Sequence, residues 1–496
     1  MAASTSTVSD QSAFSNANEL RKQWTTRTSG FPHPFQLLQK PWPWSVRVLV
    51  VLVLYGGYFL LGGGLIGERM PYDAGHYWEL AVSFQRQHRD FSLLHFNDPT
   101  RGYMAAAVQL PALVVRLLLH CSMPTAAKVA GLGWASALLA WAVPGVWQSV
   151  VQRPIAGGRW LFFVALSFVF WRDHFSFTTT DMPALTLLLL ALWGISCRHT
   201  GWWLLAGVWL AAALNCRPVY VASVLPALAL CWWWSRQHGG QQVLRLAALV
   251  LGSGLVLAPQ LAINRVHFQR NTPLVLAELP HGTRTAPLFL QQLRWGTGIL
   301  RYDTDMHARH FYVDSAGLAL LQHEQLRRFT SYSQFLRVLA RHPTEYTVRY
   351  MRHLFNGLDV WQPAPYVLRP YTPTRFWLQL LNYSVLGVAL VVWSTVSLRS
   401  WLNWPRAGVL LSILLPCAAA VPTAIESRFL LPLHLLLLVV AAFAAQPGKW
   451  WATVRQRPVR LAGAVVLSFL WLGSCYALSQ STERTLIPDR GFPMED

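Results

Sequence analysis

Long apolar runs alternate with short polar breaks through most of the chain. In order they cover 46–66, 126–150, 159–176, 182–197, 201–216, 218–234, 243–263, 376–397, 407–423, 428–445 and 461–479. The first, Val46 to Ile66, carries one charge, Arg47, at its edge. At about 1.5 Å per residue it is long enough to cross a bilayer. It is too long and too far from the N-terminus for a secretory signal peptide, and no small-residue cleavage site follows it. The pattern predicts an all-α fold: a polytopic transmembrane helix bundle of about 11 spans, with juxtamembrane helices on its outer face.

One further run, Gly102 to His120, is short and contains Gln109, Pro111 and Arg116. Loop charge decides its place. Basic residues gather on the cytoplasmic side of membrane proteins, so Arg21, Lys22, Arg27, Lys40 and Arg47 are expected inside. With 102–120 in the interface, the loops carrying Arg153/Arg159, Arg198, Arg236/Arg245, Arg399/Arg406 and Lys449/Arg455/Arg457/Arg460 also fall inside. With 102–120 spanning, all of them turn outside. The first arrangement is expected, with the N-terminus cytoplasmic and the C-terminus outside.

The organisation follows. Residues 1–45, rich in Ser, Thr, Asn and Gln, read as a disordered basic tail. Residues 46–263 form an N-terminal transmembrane module with a first outer loop at 67–125. Residues 264–375 form a helical cap on the outer face, exempt by its length from the charge rule. Residues 376–479 form a second transmembrane module, and 480–496 an outer tail. Within the cap, Ser333–Leu354 sets Phe335, Leu336, Val338, Leu339, Tyr346, Met351 and Leu354 roughly at helical spacing.

Composition agrees. Only 12% of the 496 residues are charged, against about 25% in a soluble domain. The net charge of +20 is assigned to cytoplasmic loops facing anionic lipid. No basic run interleaves with aromatics in a soluble domain, so no nucleic-acid partner is expected. The six cysteines are scattered without a CxxC pair, which indicates neither a zinc site nor a disulfide framework. No phosphate-binding Gly-rich loop, dinucleotide fingerprint, HExxH or GxSxG occurs.

Chemistry must then come from scattered polar residues at the ends of spans, and four clusters stand out. Gly67-Glu68-Arg69-Met70-Pro71-Tyr72-Asp73-Ala74-Gly75-His76-Tyr77-Trp78-Glu79 follows the first span. In a helix starting near Asp73, Asp73, His76 and Tyr77 share a face. A carboxylate at a low-dielectric boundary can have its pKa raised to serve as a general base, or can hold a divalent cation. The plain alternative is a helix cap beside an aromatic belt. Asp181, in Thr178-Thr179-Thr180-Asp181-Met182-Pro183, suits a helix cap and a functional role alike. Arg217, in Asn215-Cys216-Arg217-Pro218, can grip a phosphate or snorkel to headgroups. Glu426 and Arg428, ahead of His434, can serve a site or only each other. All of these fall on the outer side of the expected topology.

This pattern resembles the GT-C superfamily of integral membrane glycosyltransferases, nearest the protein O-mannosyltransferases and the aminoarabinose transferases that modify lipid A. The likeness runs from about Val46 to Phe443. It rests on Tyr72-Asp73…Tyr77-Trp78, a juxtamembrane helix, TTTDMPALTLLLLAL with Asp181, LNCRPVYVASVLPALAL around Arg217, and IESRFLLPLHLLLLVVAA with Glu426 and Arg428. The resemblance implies an enzyme that takes a sugar from a polyprenyl-phosphate carrier and passes it, with inversion, to a glycan, lipid or protein acceptor on the outer face. It implies Asp73 as base and acceptor or metal contact, Asp181 as the second acid, and Arg217 and Arg428 as phosphate contacts. Tyr72, His76, Tyr77 and Glu426 are expected to line the substrate site. Many relatives have Asp-Glu where this chain has Asp73-Ala74, and those nearest the lipid A enzymes have Glu-Lys-Pro where it has Gln109-Leu110-Pro111. Asp98 is the candidate for the missing carboxylate, and a divalent cation held by Asp73 and Asp181 remains open as cofactor.

The expected function is thus an inverting, lipid-phosphate-sugar-dependent glycosyltransferase of the cell envelope, in a bacterial plasma (inner) membrane. Two alternatives stand beside it: a transporter or flippase for a lipid-linked sugar, and a polymerase or ligase of lipid-linked glycans. The chain shows no internal repeat and keeps its ionisable residues at span ends, which disfavours transport.

Overall fold

The computed structural model describes residues 38–65, 70–86, 90–237, 241–281, 284–306, 308–366, 374–395, 403–455 and 458–487. Most of the expected tail 1–45, and Gly67-Glu68-Arg69 of the first loop, lie outside them. The chain is mostly helical. Among the described residues each of the eleven apolar runs forms helix over most of its length, and local sequence explains where the helices end or bend. Helix α1 (Trp44–Leu60) stops short of the expected Ile66, because Gly62 and Gly64 take φ of +90° and +80° and break the helix. Helices α2 (Tyr72–Ser83), α3 (Tyr103–Ala107) and α4 (Leu110–Leu119) make up the first loop. Helix α5 (Met123–Val151) contains a widened turn at Ala137–Ala142, just ahead of Pro144, whose ring and missing N–H disfavour a regular turn.

Helices α6 (Gly157–Ser176) and α7 (Asp181–Gly194) are bent by 118° across the buried Phe177–Thr180 segment. Next come α8 (Thr200–Cys216), α9 (Pro218–Gln237) and α10 (Gln242–Phe268). A Cβ added to Gly207 would stand 2.0 Å from the Leu249 carbonyl, and one added to Gly252 would stand 2.0 Å from that of Leu204. The two glycines face each other's helix and let the backbones of α8 and α10 touch, as small residues do between helices in lipid. After the cap, α15 (Arg375–Thr395), α16 (Trp404–Ala420), α17 (Ser427–Ala444), α18 (Pro447–Arg455) and α19 (Val459–Glu483) complete the bundle. Among the described residues six helices, namely α5, α9, α10, α15, α17 and α19, are long and apolar enough to cross a membrane. Helices α1, α8 and α16 are apolar but shorter, and α6 with α7 forms the bent pair. Outward-facing Leu467, Phe469 and Leu470 on α19 are 60–72% exposed, which marks α19 as a helix whose natural surroundings are apolar.

The cap has a core of its own, with Leu290, Leu293, Ile299, Phe311, Leu320, Phe335, Val338 and Tyr346 packed together. It comprises α11 (Leu288–Gly298), α12 (Ser315–His323), α13 (Tyr332–Arg341) and α14 (Pro343–Leu358). Two expectations are corrected here. The single helix over Ser333–Leu354 is two, since Pro343 cannot continue α13 and instead starts α14. Leu336 and Met351, expected on its apolar face, are 57% and 63% exposed.

Nor is the fold purely α. Strands β1 (Gln85–Arg86) and β2 (Asp90–Phe91) pair antiparallel, as do β3 (Glu278–His281) and β4 (Arg284–Pro287). Strands β5 (Ile299–Thr304), β6 (Arg309–Val313) and β7 (Leu486–Ile487) form a third antiparallel sheet. Strands β1, β2 and β7 have two residues each, and β5 is buried along nearly its whole length, so a two-residue alternation does not register in sequence. Strand β7 carries the chain beyond α19 back to the cap, so that end of α19 lies on the cap side.

Buried polar ladders fix the cap and the first loop to the bundle. Arg301 on β5 pairs with Asp303 and, at 3.5 Å, with Asp359, which accepts from Tyr383 on α15 and Ser479 on α19 at 2.8 and 2.6 Å. Asn215, at the end of α8, accepts from the Met104 N–H at 2.9 Å and donates to Gln260 at 3.0 Å. Gln260 in turn accepts from the Tyr103 N–H. Asn215→Leu leaves the Met104 N–H without its acceptor in a dry site, at a cost of about 1–3 kcal/mol. The expected result is a lower thermal unfolding midpoint in detergent; an unchanged midpoint would mean that this ladder does not hold α3 in place.

Candidate functional site

One cavity of about 700 Å³ opens between the first loop, the cap and the ends of α7, α9, α16 and α17. That size falls within the roughly 300–1,000 Å³ usual for ligand sites. Its polar side is built by four segments meeting from distant parts of the chain.

Helix α2 begins at Tyr72, whose φ is +43°. This left-handed conformation costs energy in a bulky residue and is typical of functional sites. Asp73 follows in the first turn, where the helix dipole favours a carboxylate. Thr178 donates to the Ala74 carbonyl at 2.6 Å and ties the α6–α7 bend beneath α2. That tie brings Asp181 under Asp73.

The expected capping role of Asp181 is not realised. Thr180 holds the cap position, and Asp181 is the first helical residue. Its side chain, 2% exposed, turns to two arginines. Arg217, between α8 and α9, is ion-paired with it. Arg428 reaches it at 3.8 Å and reaches Asp73 at 2.9 Å. A single guanidinium therefore joins the two acids, and Glu426 is ion-paired with the same group. Glu426 is set by β5: the Tyr302 N–H donates to the Ile425 carbonyl at 3.1 Å, and the Thr304 hydroxyl donates to Glu426 at 3.4 Å.

Five of the expected residues thus meet in one network, and Tyr72 and Tyr77 line the same cavity. His76 and Asp98 do not line it; they pair with each other at 2.7 Å, and Asp98 also accepts from Thr100. Asp98 does not stand in for a second cavity carboxylate. Donating a hydrogen bond to Asp98 raises the His76 pKa and, despite partial burial, Asp98 itself is held below the usual carboxylate range by His76 and Thr100.

Arg101, Arg309 and Tyr366 were not expected. Arg101 reaches Asp73 at 3.3 Å and lies over the Tyr77 ring. Arg309 lies over the Tyr72 ring, and the Tyr366 ring faces Arg428. Arg101 leads into α3 as an isolated basic residue, which is the one signal that marked it in sequence. Arg309 and Tyr366 sit in the cap, and nothing local announces their reach.

Electrostatically, four guanidiniums (Arg101, Arg217, Arg309, Arg428) face three carboxylates (Asp73, Asp181, Glu426). Burial alone would raise the Asp73 pKa, yet Arg428 and Arg101 prevail and hold its carboxyl well below the usual range. The raised Asp73 pKa expected from the apolar boundary is therefore not realised, because the arginines outweigh burial. Glu426, more deeply buried, is pushed up by burial against the pull of Arg428.

The same geometry rejects a cation between Asp73 and Asp181. A guanidinium already stands between them, and the cavity carries an excess positive charge. What the site can accept is an anion. Its remaining wall is apolar, made by Val219, Tyr220 and Val221 of α9, Ala419 and Ala420 of α16, and Leu431 and Pro432 of α17. No known protein family, curated protein or solved structure matches this chain.

Proposed function

We propose that the chain is an inverting glycosyltransferase of the GT-C type that moves a sugar from a polyprenyl-phosphate carrier to an acceptor outside the cytoplasm. The proposal takes all eleven apolar helices as spans and the cap side as the outer side, in a plasma membrane. One observation carries it: an arginine-rich cavity lined also by Asp73, Asp181 and Glu426 opens on one flank to an apolar wall made by helix ends. A lipid-linked phosphodiester has this same division of chemistry, a negative head on an apolar chain.

The reaction suits these residues. The acceptor hydroxyl oxygen bonds to the anomeric carbon from the face opposite the phosphate, and the bond from that carbon to the phosphate oxygen breaks. The hydroxyl proton passes to Asp73, already ionised at neutral pH, and the carrier leaves as a phosphate monoester with one more negative charge. Arg428, Arg101 and Arg217 stabilise that charge. An arriving phosphate competes with Asp73 for the arginines. The Asp73 pKa rises as they are drawn away, and the carboxylate becomes a better base once the donor is bound.

The test supplies proteoliposomes containing the full chain with a panel of radiolabelled polyprenyl-phosphate sugars and scores label leaving the carrier. Release with at least one carrier is expected, and an Arg217→Gln variant should need a higher donor concentration for the same rate. Label that crosses the bilayer still attached to its carrier would favour the transporter reading. Transfer of whole glycans from a lipid, insensitive to Asp73, would favour a ligase.

A further inference from the structure

The cap carries a second cluster of chemically capable side chains away from the cavity. His323 ends α12, Glu324 follows it, and His342 sits at the joint between α13 and α14. Each offers one donor atom, and these atoms lie within 4.8 Å of one another. Donors bound tetrahedrally at about 2.0–2.1 Å from zinc stand roughly 3.3 Å apart, so a modest rotation of the exposed His323 closes the set. We propose that His323, Glu324 and His342 form a binding site for one zinc-like transition-metal dication, with a fourth position left to water.

The surroundings orient these donors as those of a metal site do. The Nε2 of His342 faces Glu324 Oε1 at 3.0 Å, while its Nδ1 faces Glu345 at 3.9 Å. At 3.9 Å Glu345 is short of a hydrogen bond, but it stands on the side of the ring from which an outer carboxylate orients a metal-bound histidine. Arg341 holds the other oxygen of Glu324 at 3.0 Å and so aims Oε1 at the shared point. Two imidazoles and one carboxylate suit zinc-like ions; calcium and magnesium prefer all-oxygen sites. A bound ion clips the end of α12 to the α13–α14 joint. None of the three residues lines the cavity, so the ion stands apart from the candidate transfer site.

The test uses the full chain in nanodiscs, stripped with chelator and reloaded with Zn²⁺ or Co²⁺. One equivalent of Zn²⁺ is expected to survive dialysis, with Co²⁺ giving the strong visible absorption of a tetrahedral site. His342→Ala should lose both, and Glu345→Gln should weaken affinity about tenfold. Sub-stoichiometric Zn²⁺ together with only the weak spectrum of octahedral Co²⁺ in the wild type would overturn the proposal without any variant. So would retention of the ion in a His323→Ala/His342→Ala chain.

Discussion

Asp73→Asn is expected to reduce sugar transfer by about 10²- to 10⁴-fold, the usual contribution of a positioned general base, while the protein stays folded in the membrane. Asparagine keeps the side-chain volume. Arg428 keeps Glu426 and Asp181 as partners, so its charge is not left bare. Arg101 loses its carboxylate but still lies over the Tyr77 ring. Activity and stability should therefore separate, and parallel measurement of transfer and of thermal unfolding checks this. Loss of both together would make Asp73 a structural residue.

The pH dependence has a definite sign. Asp73 is lowered relative to its unfolded value by Arg428 and Arg101, against the effect of burial. Its ion pairs therefore stabilise the fold above the ordinary carboxylate range, and that contribution is lost as pH falls toward the depressed folded value. Wild-type stability should decline on acidification more steeply than that of Asp73→Asn.

The largest effect on folding is expected at Arg428. This side chain is 8% exposed and is the common partner of Asp73, Asp181 and Glu426. Arg428→Met strands Glu426, and leaves Asp181 with Arg217 alone. Breaking a buried pair from one side costs about 3–5 kcal/mol, because the remaining charge keeps its desolvation penalty. The variant should accumulate poorly and unfold at lower temperature. Adding Glu426→Gln to it should restore part of the loss by removing the stranded charge. If the double variant is no more stable than the single one, the ion-pair account of this network is wrong. Arg428→Lys should rescue little, since a single ammonium cannot span two carboxylates as a guanidinium does.

How much of this was legible depends on where the signal resides. Asp73, Asp181, Arg217, Glu426 and Arg428 stood out because each interrupts an apolar run at its end, where an ionisable group is conspicuous. The convergence of their segments on one side followed from loop charge, and the structure brings those five side chains into one network. Arg101, Arg309 and Tyr366 enter through contacts between different segments, from within the first loop for Arg101 to 237 residues apart for Arg309 and Tyr72, which periodicity does not encode. His76 shares a helix with Asp73 but is drawn away by Asp98, a loop residue whose position depends on Thr100 and the turn around it. The break at Pro343 was readable from proline alone. The short strands were not, for β5 and β6 owe their pairing to the cap core and to a C-terminal strand.

The account rests most directly on where the carrier phosphate sits. The decisive measurement is a cryo-electron microscopy map of the full chain in nanodiscs containing polyprenyl phosphate. The account predicts phosphate density within about 4 Å of Arg428 and Arg101, with Arg101 drawn off Asp73 and the chain lying along Val219, Val221 and Leu431. Phosphate bound elsewhere, with the Asp73–Arg428 pair intact and the cavity empty, would contradict it.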